Sequence, residues 1–339
     1  MCEMKLPNGK KGHAMVSFVA MAIVLAGVLL MLMAAEHAQA QSWPARPVRL
    51  VVPFSNGTGP DVIARSLGQK LSERWTQPVV VDNRPGASGN IGAEIVAKAA
   101  PDGLTLMVLA STFSVSPSLY ANLPFDPLRS FTHVSLIATG TMALAVHAAV
   151  PARDLNEFIA LLKAQPGKFS YSSPGNGTAQ HVVMELFKLT TGTEILHVPY
   201  KAAAQAQLDV ASGQISATVL PVNNSVPLMR GNRIRLLAAG GSRRSPVSPE
   251  VPSFEEQGLR GIDPDIWFAL FGPAGLPEDV LKKIHGDIQA ALREAEIKEV
   301  FGKLGMEPTG SSSEAMRERL AQDLQRWSRV VREAKIKAD

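Results

Sequence analysis

Short apolar strands alternate with amphipathic helices along this chain, and that alternation is the feature that most limits its possible folds. An apolar run at 48–53 is followed by a glycine-rich turn and then by apolar residues at every fourth position over 63–75. Strand patterns at 78–82 and 105–109 enclose a helical pattern at 93–99. Because a strand, helix, strand order joins parallel strands, this series predicts a parallel sheet with helices on its faces.

The same alternation restarts in the second part of the chain. Strands are predicted at 134–147, 169–172, 194–198, 215–220, 234–239 and 265–271, and helices at 155–164, 178–189, 278–293 and from Ser313 onward. We therefore predict an α/β protein of two domains, each a mostly parallel sheet flanked by helices, with a ligand cleft between them.

The chain is expected to cross between the two domains near residues 139–141 and again near residues 264–266. The first domain is then discontinuous and consists of residues 41–140 together with 265–339. The second domain is predicted to be residues 141–264.

Residues 1–40 have the layout of a secretory signal peptide. Three lysines between residues 5 and 11 precede an uncharged run from Ala14 to Ala35, and the sequence AQA ends at Ala40. We expect cleavage between Ala40 and Gln41 and a mature protein in the periplasm. The apolar run is also long enough to cross a bilayer, so an uncleaved anchor is the alternative.

Composition excludes several classes of protein. The only cysteine is Cys2, which excludes a disulfide framework, a cysteine nucleophile and a cysteine-ligated metal from the rest of the chain. A net charge of +4 over 339 residues does not make a nucleic-acid surface, so no nucleic-acid partner is expected. The histidines lack the short two-histidine spacing of a zinc site, and we expect no metal.

Two glycine-rich turns are the strongest candidates for a binding site. The first reads PFSNGTGPD over 53–61 and the second reads SSPGNGT over 172–178, and each follows a strand and precedes a helix. Backbone N–H groups at the start of a helix attract an anion, as does the helix dipole. Neither turn has the P-loop or dinucleotide pattern. If the two turns face each other across the cleft, they can hold a carboxylate with neutral donors.

At these turns the sequence resembles the Bug family, the periplasmic solute receptors of tripartite tricarboxylate transporters. The resemblance covers nearly the whole mature chain as a series of spaced motifs. They read WPARPV at 43–48, VPF and the first turn at 52–61, DNRPGASGNIGA at 82–93, PDG at 101–103, YSSPGNGT at 171–178, HVPYK at 197–201, Pro252 with Glu255 and Gly258, and Trp267 with PAGLP at 273–277.

The resemblance implies a Venus-flytrap receptor with a type II-like periplasmic-binding-protein fold, which closes on a small carboxylate between its two glycine turns. It also implies a protein that is not an enzyme and carries no cofactor. The sequence departs from the family pattern at 56–58, where Pro-Gly-Gly is common, and at Ala202, Gln205 and Ser216. The departures after Lys201 lie in a segment expected to line the far end of the pocket, so they bear on which ligand is bound.

The predicted site combines both turns, the end of the third strand and an aromatic wall. The ligand-binding residues are predicted to be Ser55, Asn56, Gly57, Thr58, Gly59, Asp61, Ser111, Thr112, Ser173, Asn176, Gly177, Thr178, His181, Tyr200 and Trp267. Gly177 is expected to let the backbone approach the ligand, and Thr178 to donate its hydroxyl or N–H or to serve only as a helix cap. His181 either borders the pocket or packs as an ordinary histidine.

The other site residues also have structural alternatives. Ser111 and Thr112 follow the third strand, where ligands bind in parallel sheets, but they can equally cap a helix. Tyr200 and Trp267 can shape an apolar wall or fill the core.

We therefore predict a monomeric periplasmic receptor that binds a small carboxylate and delivers it to the membrane subunits of a tripartite tricarboxylate transporter. One alternative is a periplasmic hydrolase that uses Ser173 or Ser88 with His181. Neither serine lies in a Gly-x-Ser-x-Gly sequence and no orienting acid is evident, which disfavours it. Another alternative is the same receptor fold serving a signalling partner.

Overall fold

The computed structural model describes residues 43–337 and, before them, only Met21. The predicted signal peptide and its cleavage site therefore lie outside the described residues, apart from that one position. From Arg46 onward the chain forms one compact unit. Among the described residues, no helix combines the length and the apolar character needed to cross a bilayer.

Within the described residues the chain forms eleven strands and ten α-helices. The strands are β1 (Val48–Val52), β2 (Val79–Asn83), β3 (Thr105–Ala110), β4 (Phe131–Gly140), β5 (Met142–His147), β6 (Ser170–Ser173), β7 (Leu196–Pro199), β8 (Ala217–Pro221), β9 (Ile234–Ala239), β10 (Ile266–Pro273) and β11 (Met306–Pro308). The helices are α1 (Gly59–Trp75), α2 (Asn90–Ala97), α3 (Ser116–Leu119), α4 (Leu155–Ala164), α5 (Ala179–Thr191), α6 (Ala203–Ala211), α7 (Val222–Arg230), α8 (Glu278–Leu292), α9 (Ala295–Lys303) and α10 (Ser313–Glu333). Short 3₁₀ turns at Ala87–Gly89 and Ser111–Ser114 precede α2 and α3.

Two mixed sheets organise these elements. The first has six strands in the order β11-β4-β10-β3-β1-β2, and the second has five in the order β7-β6-β8-β5-β9. β1 runs parallel to β2 and β3, and β6 runs parallel to β7 and β8. β4, β10 and β11 pair in antiparallel fashion in the first sheet, as β5 does with β8 and β9 in the second.

The predicted α/β class and the predicted elements on both sheets are confirmed, and helix 155–164 and strand 234–239 have the predicted bounds. The expectation of mostly parallel sheets is corrected. β4 and β5 follow each other with a single residue between them and carry the chain from the first sheet to the second. Because such strands are not joined by a helical crossover, nothing requires them to run parallel to their neighbours.

Local sequence explains the regular elements. The apolar face of α1 is formed by Ile63, Leu67 and Leu71, all of which are buried. The side chain of Asp154 accepts a hydrogen bond of 2.8 Å from the Glu157 N–H and caps α4. α6, α7, α9 and β11 were not predicted, because they are short and α7 contains a proline, which normally breaks a helix.

Helix α10 packs on the apolar cores of both sheets. Met316 and Leu320, in its first half, belong to the core cluster of the first sheet. Trp327, Val330 and Val331, in its second half, belong to a cluster formed with strands of the second sheet. The chain therefore passes between the two cores a third time, inside a single continuous helix.

Leu320→Ala should lower the free energy of unfolding by about 2–5 kcal/mol, because a fully buried leucine leaves a cavity when it is truncated. The matched control is Glu318→Ala on the exposed side of the same helix, which should change the free energy by less than about 0.5 kcal/mol. Urea unfolding measures both values, and equal costs would show that α10 is not part of the core.

Candidate functional site

The first glycine turn is held in shape by its own hydrogen bonds. It begins where β1 ends, and Gly57 adopts a positive φ of 77°. The N–H of Gly57 donates to Oδ2 of Asp61 over 2.9 Å, and the hydroxyl of Thr58 donates to the Ser55 carbonyl over 2.7 Å. Gly57 therefore occupies a left-handed conformation that a residue with a Cβ adopts only with strain.

The second turn repeats this arrangement at the end of β6. Gly177 has a φ of 71°, and its N–H donates to Nδ1 of His181 over 3.1 Å. The hydroxyl of Thr178 donates to the Gly175 carbonyl over 2.8 Å. In both turns a glycine thus donates to the side chain four residues later, and the threonine after it donates three residues back.

The shared geometry limits which groups can donate to a ligand. A hydroxyl has one hydrogen, so Thr58 and Thr178 already direct theirs to backbone carbonyls within the turns. Thr178 holds the position before α5, but its side chain makes no capping bond to the helix, so its hydroxyl neither caps α5 nor is left to donate to a ligand. The remaining donors are the backbone N–H groups of the first helical turn, which have no intrahelical acceptor.

The two helix starts offer different numbers of these donors. The second turn presents the N–H groups of Ala179, Gln180 and His181 at the start of α5. In α1 the corresponding second position is Pro60, which has no N–H, so one donor is missing. An anion therefore meets three backbone donors at the second turn and two at the first.

The acceptor side chains also differ in charge. Burial raises the pKa of Asp61, but the hydrogen bonds from Arg65, the Gly57 N–H and Asn83 together lower it by a larger amount. The pKa of Asp61 therefore lies below its ordinary value. Asp61 is therefore an anion directly behind the first turn, and its oxygens accept bonds from the protein. Burial, followed by the charges of His197 and Lys188, lowers the pKa of His181 to about 3, so this side chain is neutral.

A buried polar cluster supports the second turn from beneath. The imidazole rings of His181 and His197 stack with their centroids 3.9 Å apart and an angle of 15°. The Tyr171 hydroxyl donates to Oε1 of Glu185 over 2.6 Å, and burial followed by this carboxylate raises the tyrosine pKa. Lys188 donates to the same oxygen, so the charge of Glu185 is compensated.

Ser173 belongs to this cluster and is fully buried. Its Oγ lies 2.7 Å from Nε2 of His197, rather than next to His181. The Gly175 N–H donates to the same Oγ, which donates to the Gly175 carbonyl. A hydrogen assigned to Nε2 of His197 satisfies all these bonds, so the serine hydroxyl shapes the turn.

The glycine-rich loop 86–92 packs against the first turn on one side. On the other side it carries Ser88, whose hydroxyl pairs with that of Tyr120. A Cβ on Gly92 would lie 2.7 Å from the Pro53 side chain, so the loop packs against the start of the first turn. On the other side of the loop, Ser88 Oγ lies 3.0 Å from the Tyr120 hydroxyl. Ser88 is exposed and Tyr120 is half-buried, so the two hydroxyls form a further donor pair. Ser88 was named above only as a serine of the hydrolase alternative, and Tyr120 was not predicted as a site residue.

Leu119, the residue before Tyr120, lies next to the second turn. A Cβ on Gly177 would collide with its Cδ1, the movable end of a half-buried side chain, so a substitution here displaces Leu119 in addition to straining the backbone. The sequence predicts that the backbone at Gly177 approaches the ligand closely. In this structure the close neighbour at that position is Leu119. Leu119 and Tyr120 were missed because a short four-residue helix gives almost no periodic signal.

Ser111 and Thr112 lie where the second turn meets the first sheet. They line a cavity of about 10 Å³ with Ala179 and Val182 of α5 and with Asp265. A cavity of this size is at or below the limit for a single water molecule. The predicted donors are therefore brought to the start of α5, in an arrangement that must open to admit a ligand.

The polar hydrogens of Tyr200 and Trp267 are bound by carboxylates of the fold, which agrees with the structural role given above as the alternative to a pocket wall. The Tyr200 hydroxyl donates to Oδ2 of Asp209 over 2.6 Å, and burial followed by this bond raises its pKa to about 12. Trp267 is 1% exposed and its indole N–H donates to Oδ2 of Asp323 over 2.7 Å. The exposed or part-exposed residues Ser55, Asn56, Gly59 and Asn176 remain on the surface of their turns.

Residues 63–336 match the family described as "Tripartite tricarboxylate transporter family receptor". Protein BugT of Bordetella pertussis is 34% identical over 307 residues, which cover 89% of this chain and 94% of BugT. The structure resembles that of periplasmic binding protein BugD, with 29% identity, a TM-score of 0.70 and coverage of 88% and 100%. It also resembles R. palustris Rpa4515 solved with adipate, with 33% identity, a TM-score of 0.72 and coverage of 87% and 99%.

Two sheets, helices on their faces and a cleft between them define a two-domain periplasmic-binding-protein fold. The chain belongs to the receptor family of tripartite tricarboxylate transporters.

Gly57→Ala and Gly177→Ala form a matched pair. Both positions are left-handed, but a Cβ on Gly57 meets open space whereas one on Gly177 meets Leu119. Gly57→Ala should cost about 1–2 kcal/mol of stability, and Gly177→Ala should cost about 0.5–1.5 kcal/mol more, because the Leu119 side chain has to move from its preferred rotamer. Adding Leu119→Ala to the Gly177 variant should reduce the extra cost, and equal losses at the two glycines in urea unfolding would contradict the predicted contact.

His181→Asn keeps an acceptor for the Gly177 N–H and removes a titrating group. The folded pKa of His181 is about 3 and the ordinary value is 6.5, so its contribution to stability is complete above pH 6.5 and declines as the pH falls towards 3. The stability of the wild type should therefore fall more steeply than that of the variant between pH 6.5 and 4, by up to about 1.4 kcal/mol per pH unit. Parallel slopes in urea unfolding would show that His181 is not held neutral, and His147→Gln serves as a control histidine.

Proposed function

We propose that this protein is a periplasmic receptor that captures a small carboxylate for a tripartite tricarboxylate-type transporter. The observation that carries the proposal is the recurrence of one turn geometry at the starts of α1 and α5, in a chain that belongs to this receptor family. The similarity to a receptor solved with adipate supports a carboxylate as the ligand class. The membrane subunits of such a transporter are its proposed partners, and the protein acts as a monomer without catalysis.

We further propose that a carboxylate group of the ligand binds at the second turn. Three backbone N–H groups of the first turn of α5 have no intrahelical acceptor, and the side chain of His181 behind them is neutral. The first turn has one donor fewer, and the carboxylate behind it is paired with Arg65, so it is better suited to the less charged end of the ligand. Ser111, Thr112, Ser88 and Tyr120 supply the neighbouring hydroxyl groups.

The proposed domains are residues 41–140 with 265–339, and residues 141–264. Each proposed domain contains one sheet, and the segments that join β4 to β5 and lead into β10 form the proposed hinge. Helix α10 spans both cores, so it limits how far the domains can separate. The mature protein is proposed to begin at Gln41 after export.

Adipate should raise the melting temperature of the mature protein, because a ligand that binds only the folded state stabilises it by about 2.7 kcal/mol at a hundred times its Kd. Calorimetry then gives the Kd. Adipamide, which has the same length without the charges, is the matched control and should not bind. If none of a series of mono-, di- and tricarboxylates raises the melting temperature, the proposed function is wrong.

A glycine far from the proposed site provides a control for the position of that site. Gly192 ends α5, has a φ of 63° and has no neighbour within 4 Å of a Cβ, so Gly192→Ala strains the backbone far from the proposed site. Gly177→Ala should weaken adipate binding at least about tenfold, whereas Gly192→Ala should leave the Kd unchanged.

A further inference from the structure

The two segments that connect the sheets meet at Asp265. Its Oδ1 accepts a hydrogen bond of 3.2 Å from the N–H of Met142, the first residue of β5. Asp265 directly precedes β10, whose residue Ile266 pairs with Gly140 at the end of β4. The side chain of Asp265 thus joins one connecting segment to the other at the proposed hinge.

A cluster of charged side chains surrounds this position. Arg319 contacts Asp263 over 2.8 Å and Asp323 over 3.3 Å. Arg326 also pairs with Asp323 and lies 4.0 Å from Asp263. Two guanidinium groups are therefore shared between two carboxylates, and Asp265 is a third carboxyl group beside them, on which the charge of Arg319 also acts.

Other charged groups face the same position from neighbouring elements. A cavity of about 510 Å³ lies beside the connecting segments and is lined by Asp265 together with Asp263, Glu307 of β11, Glu255, Arg243, Arg244, Arg319 and Arg326. Arg244 is paired with Glu256, so its charge is already compensated. Burial, Asp263 and Glu307 disfavour a negative charge at Asp265, and the Met142 N–H and Arg319 favour it. Burial is the largest of these effects, so the balance lies towards the neutral form.

Asp265 also lines the small cavity of about 10 Å³ between Ser111, Thr112 and the start of α5. It is therefore placed where the first sheet and the second turn meet, and opening of the cleft admits water to this cavity. Asp265 retains some exposed surface, but protein atoms surround most of its carboxyl group.

We propose that Asp265 is a positioning residue that couples ligand-induced closure to the uptake of one proton at the hinge. The inference rests on the proposed carboxylate binding. In the closed arrangement the carbonyl oxygen of the protonated group still accepts the Met142 N–H, and no unpaired charge is added beside Asp263 and Glu307. In an open arrangement, water solvates the ionised carboxylate and the proton is released.

The direction of the effect follows from the pKa in each state. Burial and then the charge of Asp263 raise the pKa of Asp265 to about 7 here, from an ordinary value of 3.8. Closure therefore binds a proton between pH 4 and 7, and ligand affinity falls as the pH rises through this range. Between pH 6 and 8 the Kd for a ligand whose own charge is constant should increase about tenfold.

The test measures the Kd for adipate at pH 6 and pH 8 in the wild type and in Asp265→Asn. The variant keeps an acceptor for the Met142 N–H, cannot ionise, and should bind with the same Kd at both pH values. Its Kd at pH 8 should be below that of the wild type. Glu307→Gln, which removes a nearby negative charge, should move the midpoint of the wild-type pH profile to lower pH, and Glu299→Gln on the exposed surface of α9 should leave the profile unchanged.

If adipate binds but the wild-type Kd is the same at pH 6 and 8, or if Asp265→Asn keeps the tenfold change, the inference is wrong while the receptor function stands. If no carboxylate binds, the proposed function fails, and this inference, which rests on it, fails with it.

Discussion

The packing of one continuous helix, α10, on the apolar cores of both sheets is the constraint on which the rest of the structure depends. A helix is stiff over five or six turns, so the side chains at its two ends cannot move independently. Asp323, near its middle, accepts the indole N–H of Trp267 and pairs with two arginines of the same helix. The polar contacts thus fix the helix on the first sheet, while its last turns fill the core cluster of the second.

The two glycine turns show how one backbone geometry is produced by different side chains. The glycine N–H needs an acceptor four residues later, and a carboxylate meets this need in one turn and an imidazole in the other. The geometry is the same, but the surroundings are not, because the carboxylate of Asp61 is charged and paired with Arg65, whereas the imidazole of His181 is neutral.

Much of this fold follows from the sequence, because periodic apolar residues and turn glycines act locally. The helix with Ile63, Leu67 and Leu71 on one face is found as predicted, and both glycine turns join a strand to a helix. Strand direction in β4 and β10 could not be predicted, since it depends on how distant segments pair. The regular apolar spacing of α10 predicts a helix with one buried face, but it does not indicate that this face packs on two different cores.

The site is less predictable than the fold for a similar reason. Gly177 and Thr178 were identified by residue type, but their hydrogen-bond partners are set by the side chain of His181 and by a carbonyl within the turn. Trp267 and Tyr200 were assigned to a pocket wall from their aromatic character, and only the structure shows that Asp323 and Asp209 accept their polar hydrogens.

The contact between Leu119 and Gly177 has a consequence for how this sequence can change over time. The end of the leucine side chain occupies the space that a Cβ at position 177 would need, although one residue ends α3 and the other lies in the turn before α5. A side chain at position 177 requires that the residue at 119 be smaller or turn aside, whereas position 119 can become smaller while glycine stays at 177. Among relatives that keep this arrangement, a substitution at 177 should therefore be accompanied by one at 119.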